Sequence, residues 1–357
     1  MKKILRFSAI LTAHILILSL FASCSGGKTE YTDYTIYGMD TYITLRFAGK
    51  GQKEDYLDSV RDECARIIAK NEKLMSSHDE EAQIWGLNHD VDVILDAEPD
   101  LSAVLTSAVH LAEISDGAFS PTLGSLTELW NVSGGGPVPR SEEIEAASEH
   151  TDYRNISVDS GRISITDKEC KIDLGGIAKG YTAQELLVYL NGTDISYGLV
   201  SMGGNIGVFG DKTGGNPFKV GICDPDNTSS VIGYLSIDDG FIAVSGDYER
   251  FFEEDGKKYH HIIDPETGYP AESGLRSVAV WSNNGGTADA LSTALFVMGE
   301  ERALEFYRES DVRFEAVMIN DRHEIILTDG IKDGSFELSE DSYTLIGEAE
   351  GEDTVAG

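Results

Sequence analysis

Polar and apolar residues alternate from 31 to 48, where Tyr34, Ile36, Tyr42, Ile43, Leu45 and Phe47 stand among threonines. A period of two predicts a strand pair, and Gly38-Met39-Asp40 supplies its turn. The period then changes. Tyr56, Val60, Cys64, Ile67, Ile68 and Leu74 recur at helical spacing, which predicts an amphipathic helix over about 53–75. A second helix is predicted from Pro99 to Ser115, closing at Asp116-Gly117, where glycine takes the left-handed conformation. Ser133 to Pro137 reads as a loop, and Arg140 to His150 as a short acidic helix. Beyond about 155 short strands dominate, at 155–158, 162–166, 170–174, 196–200, 206–209, 218–223, 231–237, 240–245, 258–263, 276–281, 314–319 and 324–328. Helices interrupt them at 178–191 and from Thr287 to Met298, with a further helix through Phe306. Such an order predicts an α+β fold of mixed, mainly antiparallel sheets with packed helices.

The two ends depart from this pattern. Lys2, Lys3 and Arg6 precede an apolar stretch from Ile10 to Phe21, and small residues then lead to Cys24. That stretch is short for a membrane span and reads as an export signal over residues 1–23, with Cys24 as the lipidated first residue of the mature chain. Residues 24–30 form a tether, residues 31–334 the body, and residues 335–357, with seven acids and no Lys or Arg, an acidic tail predicted to fray. These features predict a chain held by its lipid at the extracytoplasmic face of a cell membrane, the alternative being plain secretion by an ordinary signal with an incidental cysteine.

Charge narrows the partners. Lys and Arg number 28 against 62 Asp and Glu, a formal net charge of −34, and such a surface sets nucleic acid aside as a partner, because phosphate binding needs clustered basic charge. Cys64, Cys170 and Cys223 are far apart and form no CxxC pair, so neither a zinc cage nor a redox dithiol is indicated, and their spacing specifies no disulfide.

Four segments carry candidate chemistry. In the run Asp173 to Tyr181, an apolar strand delivers Asp173 to the turn Gly175-Gly176, which opens a helix with Lys179 in its first turn. Backbone there can approach a phosphorylated ligand closely, and a plain strand-to-helix turn capped by Asp173 explains the same residues equally well. The glycine-rich run Ser201 to Gly210 connects strand to strand, so it lacks the helix a dinucleotide fingerprint requires and serves either a flat ligand or sheet packing. Adjacent His260 and His261 in a strand point to opposite faces, and His261, which shares a face with Ile263, is the site candidate. Finally, Asp289 and Thr293 lie four apart on a helix and offer hard oxygens of the kind magnesium takes, completed by substrate phosphates and water; Asp289 alone also suits a helix cap.

With these segments the chain resembles the ApbE family of FAD:protein FMN transferases, which are commonly exported lipoproteins. The matching stretches are Gly38-Met39-Asp40-Thr41, Met75-Ser76-Ser77-His78, Gly117 to Pro121, Asp173 to Gly180, His261 to Gly268 and Ala288 to Thr293. The resemblance implies a T-fold-like duplication and magnesium-dependent transfer of the FMN moiety of FAD to a Thr or Ser hydroxyl of an exported flavoprotein, with release of AMP. It implies Asp289, Thr293 and the carbonyl of Gly176 as metal ligands. It further implies Met39, His78, Ala118, Phe119, Ser120, Asp173, Lys179 and Ile263 as FAD contacts and His261 as the base for the acceptor hydroxyl. Two positions depart from the family pattern: Ser120 stands where many members carry Asp, and His78 where an aromatic residue is frequent. The same site with water as acceptor would make an FAD pyrophosphatase giving FMN and AMP, and without turnover a flavin-binding lipoprotein.

Overall fold

The computed structural model describes residues 31–48, 51–90, 94–210, 212, 215–331 and 334–346. The export signal, Cys24 and the tether lie outside them, as do residues 347–357. The first hairpin pairs β1 (Tyr31–Gly38) with β2 (Thr41–Ala48). Met39 and Asp40 both take positive φ, 51° and 56°, the two-residue turn whose twist suits a hairpin. α1 (Glu54–Met75) follows and buries Leu57, Val60, Cys64, Ile68 and Leu74 beside Ile43, Leu45 and Phe47 of β2. Next come α2 (Gln83–His89), β3 (Leu95–Asp96), α3 (Pro99–Ile114), α4 (Gly124–Trp130), α5 (Ser141–Ser148), β4 (Ile156–Asp159) and β5 (Arg162–Ile165).

The second half begins with α6 (Ala178–Asn191), β6 (Tyr197–Met202) and β7 (Asn205–Gly210), then β8 (Phe218–Cys223), β9 (Val231–Ile237), β10 (Gly240–Gly246), β11 (Phe251–Glu254) and β12 (Lys257–His260). It closes with β13 (Leu275–Ser282), α7 (Gly285–Glu309), β14 (Glu315–Asn320), β15 (Glu324–Leu327), β16 (Phe336–Leu338) and β17 (Thr344–Ile346). Nine strands form the main sheet in the order β1-β2-β6-β7-β10-β13-β14-β15-β17, antiparallel throughout except for the final pair. The mixed, mainly antiparallel α+β class read from the sequence is the class observed.

Both faces of this sheet are covered, which explains why β7 and β10 lack strict alternation. Val200, Met202, Ala243, Val278, Val280 and Met318 share one core with the helices. The intervening Ile206, Val208, Ile242, Ala279, Val317 and Ile319 share a second core with Val220, Ile222, Leu235 and Phe336 of the small sheet β16-β9-β8. On the helical face α6 and α7 cross at backbone contact: a Cβ on Gly180 would lie 2.1 Å from the Gly285 carbonyl oxygen, and one on Gly285 would lie 2.2 Å from that of Gly180.

Several sequence expectations need correction. Residues 170–174 form no ladder. Their backbone is held instead by the Asn88 side chain, which donates to the Ile172 carbonyl and accepts from its N–H (2.8 and 2.7 Å), and by the Pro121 carbonyl, which accepts from the Asp173 N–H (2.8 Å). The strand expected over 258–263 ends at His260, with only an isolated bridge from Ile263 to Pro270 beyond it. The fraying expected from 335 does not hold for residues 335–346, where Phe336 and Tyr343 are buried and β17 extends the main sheet. The helix expected from Thr287 starts at Gly285, where Asn284 caps it by accepting the Thr287 N–H (2.9 Å), and Gly299 at φ 75° breaks it where the two-helix reading placed the junction.

The glycine contact yields a stability prediction. Gly180→Ala should cost about 1–3 kcal/mol, the range for an overpacked site, because backbone atoms rather than a pliable side chain must give way. Urea unfolding of the variant against the parent measures it.

Candidate active site

The close helix crossing fixes where Asp289 can point. One turn into α7, its Oδ2 accepts the Gly180 N–H (2.9 Å) and its Oδ1 accepts the Asn205 side-chain amide (3.1 Å). The residue is 6% exposed and, among the described residues, has no ion-pair partner. Two neutral donors leave half of the carboxylate's lone pairs unused, which is costly for a buried charge. Thr293, one turn further on, places Oγ1 3.2 Å from the Ser245 hydroxyl, itself 2.8 Å from that of Ser292. Gly176 closes the group from the α6 side: a Cβ there would sit 3.5 Å from Thr293 Oγ1 and 3.2 Å from the Phe119 ring, so only glycine lets the backbone come this near without pushing that ring.

This donor set is all oxygen and fits a hard dication such as magnesium. No three His, Cys, Asp or Glu side chains gather to hold a metal among the described residues. A cation here would therefore rest on one carboxylate, hydroxyl and carbonyl oxygens, and whatever a ligand brings.

Around the oxygen cluster opens a cleft of about 490 Å³, a size suited to a cofactor-like ligand. All sequence-predicted site residues within the described chain line it: Met39, His78, Ala118, Phe119, Ser120, Asp173, Gly176, Lys179, His261, Ile263, Asp289 and Thr293. Met39 enters at the hairpin tip, where its N–H donates to Glu72 of α1 (2.9 Å). Ser120 shares a hydrogen bond with Thr122 (2.8 Å) on a segment turned by Asp116 and Gly117, both at positive φ. Asp173 does form the turn, accepting from the Gly175 N–H (2.7 Å) and Thr127 Oγ1 (2.9 Å), and it faces the cleft as well, so the turn-forming and ligand-facing readings hold together. Lys179 Nζ donates to the Gly175 carbonyl (2.8 Å) and stays on the cleft wall.

The two histidines separate as the alternation requires. His260 is buried, with Nε2 3.0 Å from the Ala271 carbonyl and its ring edge-on to Phe296. His261 faces the cleft. Its backbone N–H donates to the Arg250 carbonyl (3.1 Å), and its Nδ1 is buried without a hydrogen-bond partner. Burial first, then the positive charges of Arg250 and Lys179 and the neighbouring His260 ring, hold its imidazole well below the usual histidine range, so it is neutral at pH 7. Trp130 steadies this wall by donating Nε1–H to the Gly268 carbonyl (2.8 Å) and packing in one cluster with Ile263.

Sequence reading passed over several cleft residues. Asn205 lies in the glycine-rich run and proves to be both a strand residue and the clamp on Asp289. Ser245 lies within β10, read only as a strand, and Glu249 and Arg250 lie just beyond it, in residues to which the sequence pattern assigns no element. Desolvation pushes the Glu249 carboxyl up to about 7, assisted by Asp289 and opposed by Arg250 and Lys179. An adjacent acid and base just beyond an apolar strand was the available signal.

Comparison with known proteins agrees with this geometry. The family model described as the ApbE family matches residues 39–318. A Treponema pallidum protein named FAD:protein FMN transferase is 32% identical over 83% of this chain and 86% of its own length. A Haemophilus influenzae protein of the same name is 29% identical over 87% and 94%. Among solved structures, the ApbE protein from Thermotoga maritima superposes with a TM-score of 0.73 at 32% identity, covering 87% of this chain and 97% of that one. The flavin transferase ApbE from Vibrio cholerae gives 0.73 at 27%, covering 82% and 94%. A matched core that holds the hairpin tip, the glycine turn, His261 and the first turns of α7 in one register places this chain in the ApbE family.

Proposed function

We propose that the chain is an FAD:protein FMN transferase that moves the FMN moiety of FAD onto a Ser or Thr hydroxyl of an exported flavoprotein and releases AMP. The observation that carries this reading is the placement, in one cleft, of an oxygen cluster suited to a diphosphate-bound cation and a neutral histidine with an unpartnered ring nitrogen. The names of the relatives support it, as does the match along most of their length. A lipid on Cys24 would hold the enzyme at the extracytoplasmic membrane face, where exported acceptors are found. No described helix is long and apolar enough to cross a membrane.

Each part of the reaction falls to a residue that lines or supports the cleft. Asp289, Thr293 and the Gly176 carbonyl would hold magnesium, whose chemistry is to withdraw charge from the diphosphate and favour AMP as leaving group. Asn205 and the Gly180 N–H fix the Asp289 carboxylate in advance. Gly175 and Gly176 let main chain approach the phosphates, and Lys179 and Arg250 give this cleft the positive charge that a chain of net charge −34 otherwise denies an anionic substrate. Neutral His261 accepts the proton of the acceptor hydroxyl as its oxygen attacks the FMN phosphorus and the bond to AMP breaks.

The testing assay mixes the full chain, FAD, magnesium and a flavoprotein domain with an acceptor Thr. Acid-stable yellow fluorescence on the domain, with one AMP per flavin, is the expected result. Free FMN produced equally well without acceptor would instead mean a hydrolase, and unchanged FAD a binding protein. Asp289→Ala should abolish turnover and the magnesium dependence of FAD binding. His261→Ala should lower kcat by about 10²–10⁴-fold, the usual worth of a positioned base, while FAD still binds.

The titrating groups give a pH prediction. His261, depressed in the folded state, supplies stability that is present above its ordinary 6.5 and is lost as pH falls below it. Glu249, raised to about 7, acts in the opposite sense: its contribution is full below about 4.5 and is lost as pH rises through about 7. Glu249→Gln should therefore raise Tm at pH 8, by about 2–4 °C if roughly 1 kcal/mol is relieved, and leave it little changed at pH 4.5. Thermal melts of the metal-free chain at the two pH values check this.

A further inference from the structure

β1 is the outermost strand of the nine-stranded sheet, and its outer edge pairs with no other strand among the described residues. The hairpin closes on a two-residue turn with Gly38 opposite Thr41. That pair is hydrogen-bonded in such a turn, so Tyr37, Thr35 and Asp33 present their backbone N–H and C=O groups to the open edge. Proteins guard such edges with lysine, proline or a bulge. This strand has no Lys, no Pro and no break in its register, and its one charge, Asp33, is paired with Arg46 (2.6 Å). It is an edge whose single charge is neutralised, on a chain of net charge −34.

A second observation lies at the end of the same strand. Tyr37 and Tyr42 are 65% and 53% exposed, the most exposed aromatic side chains described, and they meet edge to face with centroids 5.3 Å apart. The residues between them at the tip, Met39 and Asp40, line the cleft. The open edge and the aromatic pair thus end at two residues that line the cleft.

We propose that the open edge of β1, with Tyr37 and Tyr42, docks the acceptor protein by adding an extended, uncharged, hydroxyl-bearing segment to the sheet as a further strand. Main-chain hydrogen bonds supply affinity in this mode, which makes it tolerant of different acceptor sequences, and the aromatic pair grips the segment beside the cleft. The proposal rests on the flavin-transfer reading and names where that reaction's second substrate lies.

The test uses the full chain in detergent with FAD, magnesium and a purified FMN-binding domain carrying a single acceptor Thr. Thr35→Pro removes one outward N–H without touching a bond to β2, and the double variant Tyr37→Ala, Tyr42→Ala removes the aromatic pair. Each should lower kcat/KM for the acceptor at least tenfold through KM, with the Kd for FAD, read from flavin fluorescence, within twofold of the parent. Amide exchange at residues 33–37 of the parent should slow when the acceptor is added. Unchanged KM in both variants, while the parent flavinylates normally, overturns docking alone. Edge amides already protected without acceptor overturn it too, placing a second copy or this chain's own N-terminal residues on β1. A parent chain that leaves no acid-stable flavin on the acceptor overturns the transfer reading, and this proposal with it.

Discussion

Two glycines that allow two helices to touch backbone to backbone set the geometry of everything functional here. With any side chain at Gly180 or Gly285, α6 and α7 would have to separate, and the Gly180 N–H would leave Asp289. Because the crossing sits at the first turn of each helix, it aligns two otherwise unrelated pieces of chain. The glycine turn that starts α6 and the carboxylate near the start of α7 become neighbours. Asn205 completes the arrangement from the sheet beneath. A buried carboxylate held by neutral donors alone is an electrostatic liability in an empty protein and an asset once a cation arrives.

The electrostatics follow a similar logic of contrast. The chain as a whole repels anions, yet Lys179 and Arg250 face the cleft and act on its titratable groups. Burial does most to keep His261 unprotonated, and the positive charges that draw a phosphate add to it, so substrate attraction and the protonation of His261 are coupled rather than separately arranged. Glu249 opposes them and moderates the local potential.

Much of this was legible in residue order. Period-two alternation gave the first hairpin, helical spacing gave α1 and α3, and the i, i+4 relation put Asp289 and Thr293 on one face. Opposite strand faces separated His260 from His261, and both lie where that rule sends them. Three of the segments read as chemistry-bearing reach the cleft from the ends of regular elements, where the backbone bends, and the fourth, Asp289 to Thr293, reaches it from the first turns of α7. What stayed hidden depends on distant partners. Residues 170–174 look like a strand because apolar Cys170, Ile172 and Leu174 alternate with polar Lys171 and Asp173, but the Asn88 amide and the Pro121 carbonyl take the place of a ladder. Glu249 is marked locally only by its neighbour Arg250; the burial that gives it an unusual proton affinity comes from distant parts of the chain. The acidic end looked solvated by composition, yet Tyr343 is buried and its hydroxyl bonds Asp224 (2.7 Å).

The position of β2 in the sheet bears on how the molecule is assembled. It pairs with β6, and residues 49–196 lie between the two strands. Joining them closes a loop made of most of the helical half of the protein, an entropic cost met before the central pairing returns any enthalpy. The hairpin and α1 can form locally, but the sheet that anchors them exists only after the middle of the chain has arrived. Assembly of the main sheet therefore comes late, and until then the edge of β2 that β6 will occupy stays unpaired, an opening for association between unfinished chains.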